Sequence, residues 1–322
     1  MANPTRRWSV WLNRLIPLVA LVVFAIAIAF IARTFGKYTF DEILGAMRAI
    51  PTIDMVAASV LTAVAYLVLC TYDIMGLRYV GSKLPIRSAL FTAFTAFAFG
   101  NNIGLAAVAG GSVRLRLYGS YGLQPGQILR VIAFVTMTFW VGFFTIAGLS
   151  MMMGPVSLPD GYGIPAGVSM AIGAGSLTIA ALYVGLCRFF HRPILVRGVM
   201  IRLPHPGLAI TQATTAAIDW MLAAAVLYLL LPHDHIGYFM FLSIFVSSQI
   251  VALVTNVPGG VGVLEALVIY FMSVDHEPHP AVLGGLLVYR LIYYIAPLVL
   301  AAIMFATHEI RMRRLHAIPI TR

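Results

Sequence analysis

Residues 239–271 read FMFLSIFVSSQIVALVTNVPGGVGVLEALVIYF, an apolar run that a Pro-Gly-Gly element interrupts. A second run, SALFTAFTAFAFGNNIGLAAVAGG, occupies residues 88–111 and is also rich in breaking residues. Glycine and proline break helices, and irregular backbone at membrane depth needs protein or a water-filled cavity around it. Each run, within about 86–112 and 237–273, is therefore either one kinked span or a re-entrant hairpin. The residues assigned to the breaks are Asn101, Asn102, Gly110, Gly111, Asn256, Pro258, Gly259 and Gly260.

The chain as a whole has the composition of an integral membrane protein. It is 61% apolar and only 10% charged, with a mean hydropathy of +0.95, whereas a soluble domain is about a quarter charged. A span needs about 20 mostly apolar residues. Full spans are predicted at about 11–32, 53–77, 127–150, 163–186, 208–231 and 281–306, and a short interfacial helix at 38–48.

The distribution of positive charge decides between kinked spans and hairpins. If both broken runs cross the membrane, ten Lys and Arg residues lie on each side. If both are hairpins, 17 lie on the cytoplasmic side and three outside. Cytoplasmic loops are enriched in Lys and Arg, so we expect two hairpins, with both termini in the cytoplasm of a bacterial inner membrane.

This topology predicts the fold class. It is an all-α integral membrane protein, a single polytopic domain over 1–322, with about six full spans and two re-entrant helical hairpins. Each half, about 1–155 and 156–322, reads span, span, hairpin, span, with opposite orientations. Such inverted repeats place a transport site near the bilayer midplane between the halves.

Ionisable side chains within the apolar segments are the candidate site. They are costly inside a membrane and usually functional. The candidates are Asp73, Arg114, Arg116, Asp219, Glu265 and Arg290. Structural ion pairing is the alternative, in which Arg290 neutralises Glu265 or Asp219. A cavity with both signs of charge suits a headgroup with a phosphate and an ammonium, because arginine binds phosphate and carboxylates pair with ammonium groups.

Three motifs indicate a family. The run from Asn256 to Glu265 resembles the PGG-x-G-x-x-E signature of the lysylphosphatidylglycerol synthase/flippase transmembrane region. The segment from Asn102 to Gly119, with Gly110-Gly111 and Arg114, is similar to an N…G…R…L…G element of that family. The third motif, 289–297, is similar to its closing R…Y…P motif. The resemblance spans nearly the whole chain.

The resemblance implies a bundle that moves anionic or aminoacylated lipids between leaflets. It carries over Asp73, one of Arg114 or Arg116, and Glu265 as translocation residues. Asp219 matches no motif and rests on its charge alone. The serine after Gly110-Gly111 departs from the family's Arg-Gly-Glu character at this point, which leaves the substrate open.

Together these observations predict a lipid flippase, with phospholipid as the partner and aminoacylated phosphatidylglycerol as one cargo. The headgroup is expected to enter past Arg114 and Arg116 and to meet Glu265 and Asp219, either of which is a candidate proton carrier. No P-loop, hydrolase or dinucleotide motif is present, so we predict neither an enzyme nor a metal or cofactor. The basic charge indicates anionic lipid rather than nucleic acid.

Two other functions stay open from the sequence. One is a secondary transporter for a small soluble anion or zwitterion, which a cavity sealed from lipid would favour. The other is a non-transporting membrane partner of a lipid-modifying synthase. A homo-oligomer is compatible with all three.

Overall fold

The computed structural model describes residues 38–102, 106–154, 165–190, 192, 194–196, 199–232, 236–255, 260–272 and 280–316. The helices are α1 (Phe40–Ala49), α2 (Thr52–Tyr79), α3 (Ile86–Asn102), α4 (Ala106–Ser120), α5 (Pro125–Met153), α6 (Ala166–Phe189), α7 (Pro206–Leu230), α8 (Tyr238–Thr255), α9 (Val263–Met272), α10 (Pro280–Tyr289) and α11 (Ala296–His316). A π-helical turn (Arg290–Ile295) joins α10 to α11. Proline precedes or opens several of these helices, where its missing N–H costs nothing.

Five of the six predicted spans coincide with helices long and apolar enough to cross a membrane. These are α2, α5, α6, α7 and the continuous stretch Pro280–Met312. The predicted span at 11–32 lies outside the described residues.

The all-α prediction needs one correction. Two three-residue strands, β1 (Ile194–Val196) and β2 (Val199–Ile201), pair antiparallel in the segment between the spans predicted at about 163–186 and 208–231. Their residues are β-branched or otherwise apolar, which favours strands in a segment too short for a helix.

The distribution of side chains on α6 shows whether water or lipid surrounds this protein. The buried face of α6 consists of small residues, including Ser169, Gly173 and Ala180. The large apolar side chains Ile179 and Leu182 are instead exposed. Small residues at helix contacts and large apolar residues outward are the pattern of a helix in lipid. The protein is therefore an integral membrane protein.

The bundle is built around α7, which packs against α2, α5, α6, α8 and α10. Its crossing with α5 is close because α5 has Gly142 at the contact. A Cβ atom on Gly142 would lie 2.1 Å from the Cβ of Ala216, which shows why a glycine is needed there. On the outer rim, α1 packs against α10. This short helix matches the one predicted at 38–48, and its start is capped by Thr39 and Glu42.

Each broken run forms two helices that pack against each other, α3 with α4 and α8 with α9. In the first run, Gly110 of α4 lies against Ala96 of α3. These two helices therefore lie side by side. Whether both ends of each pair return to one membrane face stays a prediction.

The predicted break at Gly110-Gly111 is wrong, because both glycines lie inside α4. A Cβ atom on Gly110 would approach the Ala96 carbonyl oxygen to 2.9 Å, so this glycine permits close helix packing. Asn101 and Asn102 are the last residues of α3. Asn256, Pro258 and Gly259 lie outside the described residues, and Gly260 adopts a φ of +61°, which favours glycine.

Four segments predicted to be cytoplasmic meet at one end of the bundle. The hydroxyl of Tyr79, at the end of α2, donates to the backbone carbonyl of Arg202. Phe91 and Tyr121, from the two helices of the first hairpin, both contact the ring of His308 on α11, at 5.0 and 6.1 Å. The two His308 contacts place the beginning of α3 and the residue after α4 at the same end of the bundle.

Candidate site of buried charges

Both hairpins approach the π-helical turn. Asn102, the last residue of α3, donates from Nδ2 to the Tyr294 carbonyl oxygen at 3.2 Å. From the other side, Arg290 donates from Nη2 to the Gly260 carbonyl oxygen at 3.2 Å. π-helical turns occur frequently at functional sites. The last span is therefore the element that both hairpins contact.

The sequence around the turn explains its free carbonyl groups. Pro297 has no N–H to donate to Tyr293, four residues earlier. The Tyr293 carbonyl oxygen instead accepts a hydrogen bond from the Tyr66 hydroxyl at 3.2 Å. A side chain of α2 thus replaces a backbone bond that proline removes.

At the second hairpin, Glu265 is bound from two directions. Its Oε1 accepts from Arg290 Nε at 2.5 Å, and its Oε2 accepts from the Gly262 backbone N–H at 2.7 Å. The second bond is the backbone half of a capping box at the start of α9. The Arg290 guanidinium also lies 4.5 Å above the Tyr294 ring. Arg290 therefore pairs with Glu265, one of the two carboxylates proposed from the sequence.

At the first hairpin, Asp73 and Arg114 form a bidentate pair. Arg114 donates from Nε and Nη2 to the two Asp73 oxygens at 2.8 and 2.6 Å. The Tyr118 hydroxyl donates a third hydrogen bond to Asp73, at 2.8 Å. The Asp73 side chain has no exposed surface, and the Arg114 guanidinium lies 4.7 Å above the Phe97 ring. All the charge here is compensated inside the bundle.

Arg116 points away from this pair. It donates from Nε and Nη2 to Glu309 on α11, at 3.0 and 2.9 Å. Its side chain is 64% exposed. Residues two positions apart on a helix face different directions, so only Arg114 can occupy the buried position. The structure thus distinguishes the two arginines that the sequence left as alternatives.

Asp219 differs from the other buried acids. It accepts one hydrogen bond, from the Tyr72 hydroxyl to Oδ2 at 2.9 Å. Its other oxygen, Oδ1, has no hydrogen-bond partner among the described residues. Because Tyr72 and Asp73 are consecutive on α2, that helix links Asp219 to the first ion pair.

Sequence reasoning missed a cluster of tyrosines between the two ion pairs. Tyr293 stacks on Tyr289 with ring centroids 5.3 Å apart and also contacts Tyr66 and Tyr294, at 5.8 and 5.3 Å. The spacing of Tyr289, Tyr293 and Tyr294 places them on adjoining faces of one helix. A series of polar side chains therefore runs through the bundle, from Arg114 through the tyrosines to the Glu265–Arg290 pair. We name this series the polar strip.

A groove opens on the side of the bundle next to this strip. It has a volume of about 910 Å³ and lies between α2, α3 and the last span. Most of its lining is apolar, including Leu67 and Leu291, and Arg87 lies among its lining residues. Tyr66 lines the groove and also belongs to the tyrosine cluster. The groove and the polar strip therefore share a wall.

Metal ligation can be assessed only where the structure describes the side chains. Residues 233–235 and 275–279, which contain four histidines, lie outside the described residues. Within the described ranges, no group of three or more metal-ligating side chains is present.

The fold and the buried charges define a multi-pass membrane protein with compensated charges in its interior. Over 325 residues the chain is 31% identical to the Escherichia coli inner membrane protein YbhN, covering 98% of each chain. An uncharacterized protein of Synechocystis is 30% identical over 298 residues, 92% of each chain. The chain therefore belongs to the family that contains YbhN and is a multi-pass inner membrane protein.

A more distant similarity involves an enzyme of lipid metabolism. Staphylococcus aureus phosphatidylglycerol lysyltransferase is 22% identical over 290 residues, which cover 88% of this chain and 33% of the enzyme. This similarity agrees with the resemblance found in the motifs. No protein-family model matches the chain.

Proposed function

We propose that this protein is a lipid translocase, which moves a phospholipid between the two leaflets of the inner membrane. The observation that carries the proposal is the shared wall between the groove and the polar strip. An open apolar groove suits acyl chains, whereas buried charges suit a headgroup. A soluble substrate would need only the polar part.

The headgroup chemistry follows from the two ion pairs. Arg114 and Arg290 are each held by a carboxylate, Asp73 and Glu265. A phosphate bound to either arginine competes for the same donors, and the released carboxylate can then bind an ammonium group. Lipids that carry both charges, such as aminoacylated phosphatidylglycerol or phosphatidylethanolamine, complement both partners of a pair.

The packing of the hairpins supports an alternating mechanism. The first hairpin packs through α3 against α11, the last helix of the second half. The second hairpin packs through α8 against α5, the last helix of the first half. This reciprocal arrangement is expected of an inverted repeat. In the proposed orientation, with both termini cytoplasmic, the two hairpins approach the polar strip from opposite leaflets.

The test is lipid flipping in proteoliposomes, with phosphatidylglycerol, aminoacylated phosphatidylglycerol and phosphatidylethanolamine compared. Leu67→Trp should slow the transported lipid, because Leu67 is 60% exposed and lines the groove. Leu182→Trp is the matched control, since Leu182 is 61% exposed on α6 and does not line the groove. Slowing of flipping by Leu67→Trp alone would support acyl chains in the groove.

The alternatives predict different outcomes. If no lipid moves faster than in empty liposomes while a soluble zwitterion is taken up, the protein is a secondary transporter. If neither moves and a lipid-modifying synthase co-purifies, the protein is a membrane partner of that enzyme. Equal slowing by both tryptophan variants would contradict a role for the groove.

A further inference from the structure

Asp219 is the buried acid that the ion-pair mechanism does not use. Asp73 has Arg114, and Glu265 has Arg290. Asp219 is 6% exposed and its Oδ1 is without a hydrogen-bond partner among the described residues. An isolated carboxylate is very costly in a low-dielectric interior, so such a group takes up a proton instead.

Among the described residues, no cation pairs with Asp219 to keep it ionised. Tyr72 and Tyr66 face it from α2, and Tyr293 faces it from the π-helical turn. These phenols are neutral at physiological pH. Among the described residues of α5, α6, α8 and α10, which also pack against α7, no charged group interacts with Asp219.

We propose that Asp219 is a proton-binding site that couples transport to a proton gradient, an inference that rests on the proposed lipid translocase. In the resting state its carboxyl group carries a proton on Oδ1. During transport the O–H bond breaks, the electron pair stays on the carboxylate, and the proton passes to water that enters with the headgroup. The Tyr72 hydroxyl donates to Oδ2 throughout and stabilises the ionised form.

The position of Asp219 gives this proton a role. Tyr72 connects it to the helix that holds the first ion pair, and Tyr293 connects it to the turn that both hairpins contact. A change in the charge of Asp219 therefore acts on both ends of the polar strip. Glu265, the other candidate from the sequence, is less suited because it already forms an ion pair with Arg290.

The proton can be observed directly in the purified protein by infrared spectroscopy. The carbonyl band of a protonated carboxyl group should be present in the wild type, absent in Asp219→Asn and retained in Glu265→Gln. Asp41→Asn is the control, since Asp41 lies exposed on α1. Absence of the band from the wild type, or its loss in Glu265→Gln alone, would overturn the assignment.

Two further measurements separate this inference from the proposed function. Tyr72→Phe should move the band to a higher frequency, because the carbonyl oxygen Oδ2 loses the hydrogen bond from the Tyr72 hydroxyl. A pH gradient should accelerate lipid flipping by the wild type but not by Asp219→Asn. If the wild type flips lipid equally with and without the gradient, the coupling is wrong and the translocase stands. If no lipid flips, the translocase is wrong, and the infrared band still decides whether Asp219 binds a proton.

Discussion

The two buried acid–arginine pairs differ in how they are held. Asp73 accepts three hydrogen bonds from side chains on continuous helices and is completely buried. Glu265 lies at the start of a helix, beside a glycine-rich turn, and its pair with Arg290 is partly exposed, at 12% and 14%. The first pair is therefore held more tightly than the second, which lies beside a break in the backbone. We expect a headgroup to displace the Glu265–Arg290 pair more readily than the Asp73–Arg114 pair.

The largest effect on stability should follow from Asp73→Asn. It leaves the Arg114 charge buried without an anion, which costs about 3–5 kcal/mol. Thermal unfolding in detergent should show a large decrease in the midpoint. The double variant Asp73→Leu, Arg114→Leu should recover most of the loss, because apolar replacements of a buried pair are often neutral. A wild-type midpoint for Asp73→Asn would show that the two pairs do not differ in this way.

A smaller loss of stability is expected from Glu265→Gln, about 1–3 kcal/mol. Glutamine can still accept from Arg290, and only the charge is removed. The matched control is Glu42→Gln, since Glu42 holds the same capping position at the start of α1 but is exposed and its capping bond is also 2.7 Å. If both variants lose the same stability, then capping rather than the Arg290 pair accounts for the role of Glu265.

The smallest effect should come from Arg116→Gln. Exposed ion pairs contribute little to stability because water and salt screen them, and Arg116 is 64% exposed despite its bidentate geometry. Its unfolding midpoint should differ little from the wild type, and added salt should remove the difference. A loss as large as that of Asp73→Asn would show that the base of the first hairpin depends on the α11 contact.

The positions of five spans could be predicted because the hydropathy of a span depends on about 20 residues together. The hairpin topology stays a prediction, and it rests on seven arginines that lie on the cytoplasmic side only if both broken runs are hairpins. Glu265 could be selected as a candidate from the sequence because it follows the Pro-Gly-Gly break by only five residues. The sequence could not choose a partner for Arg290, because that depends on how two distant helices meet.

Other structural features could not be predicted from the sequence, because they depend on how the helices pack. A glycine pair can either break a helix or allow two helices to pack closely. Gly110 and Gly111 lie inside α4, and Gly110 allows close packing against Ala96 of α3. Arg114 and Arg116 have the same chemistry, and only the rotation of α4 decides which is buried. The tyrosine cluster had one available signal, because Pro297 four residues after Tyr293 leaves a carbonyl group free. That signal predicts a polar partner for the carbonyl but does not identify Tyr66.

The central claim is that headgroups pass along the polar strip, and the rate of lipid flipping by Glu265→Gln tests it most directly. Proteoliposomes with equal amounts of wild type, Glu265→Gln and Glu42→Gln would be compared for the lipid that the wild type transports. We predict that Glu265→Gln reduces the rate about tenfold or more, as expected when a charged hydrogen-bond partner becomes neutral, while Glu42→Gln retains the wild-type rate. A wild-type rate for Glu265→Gln would contradict the claim.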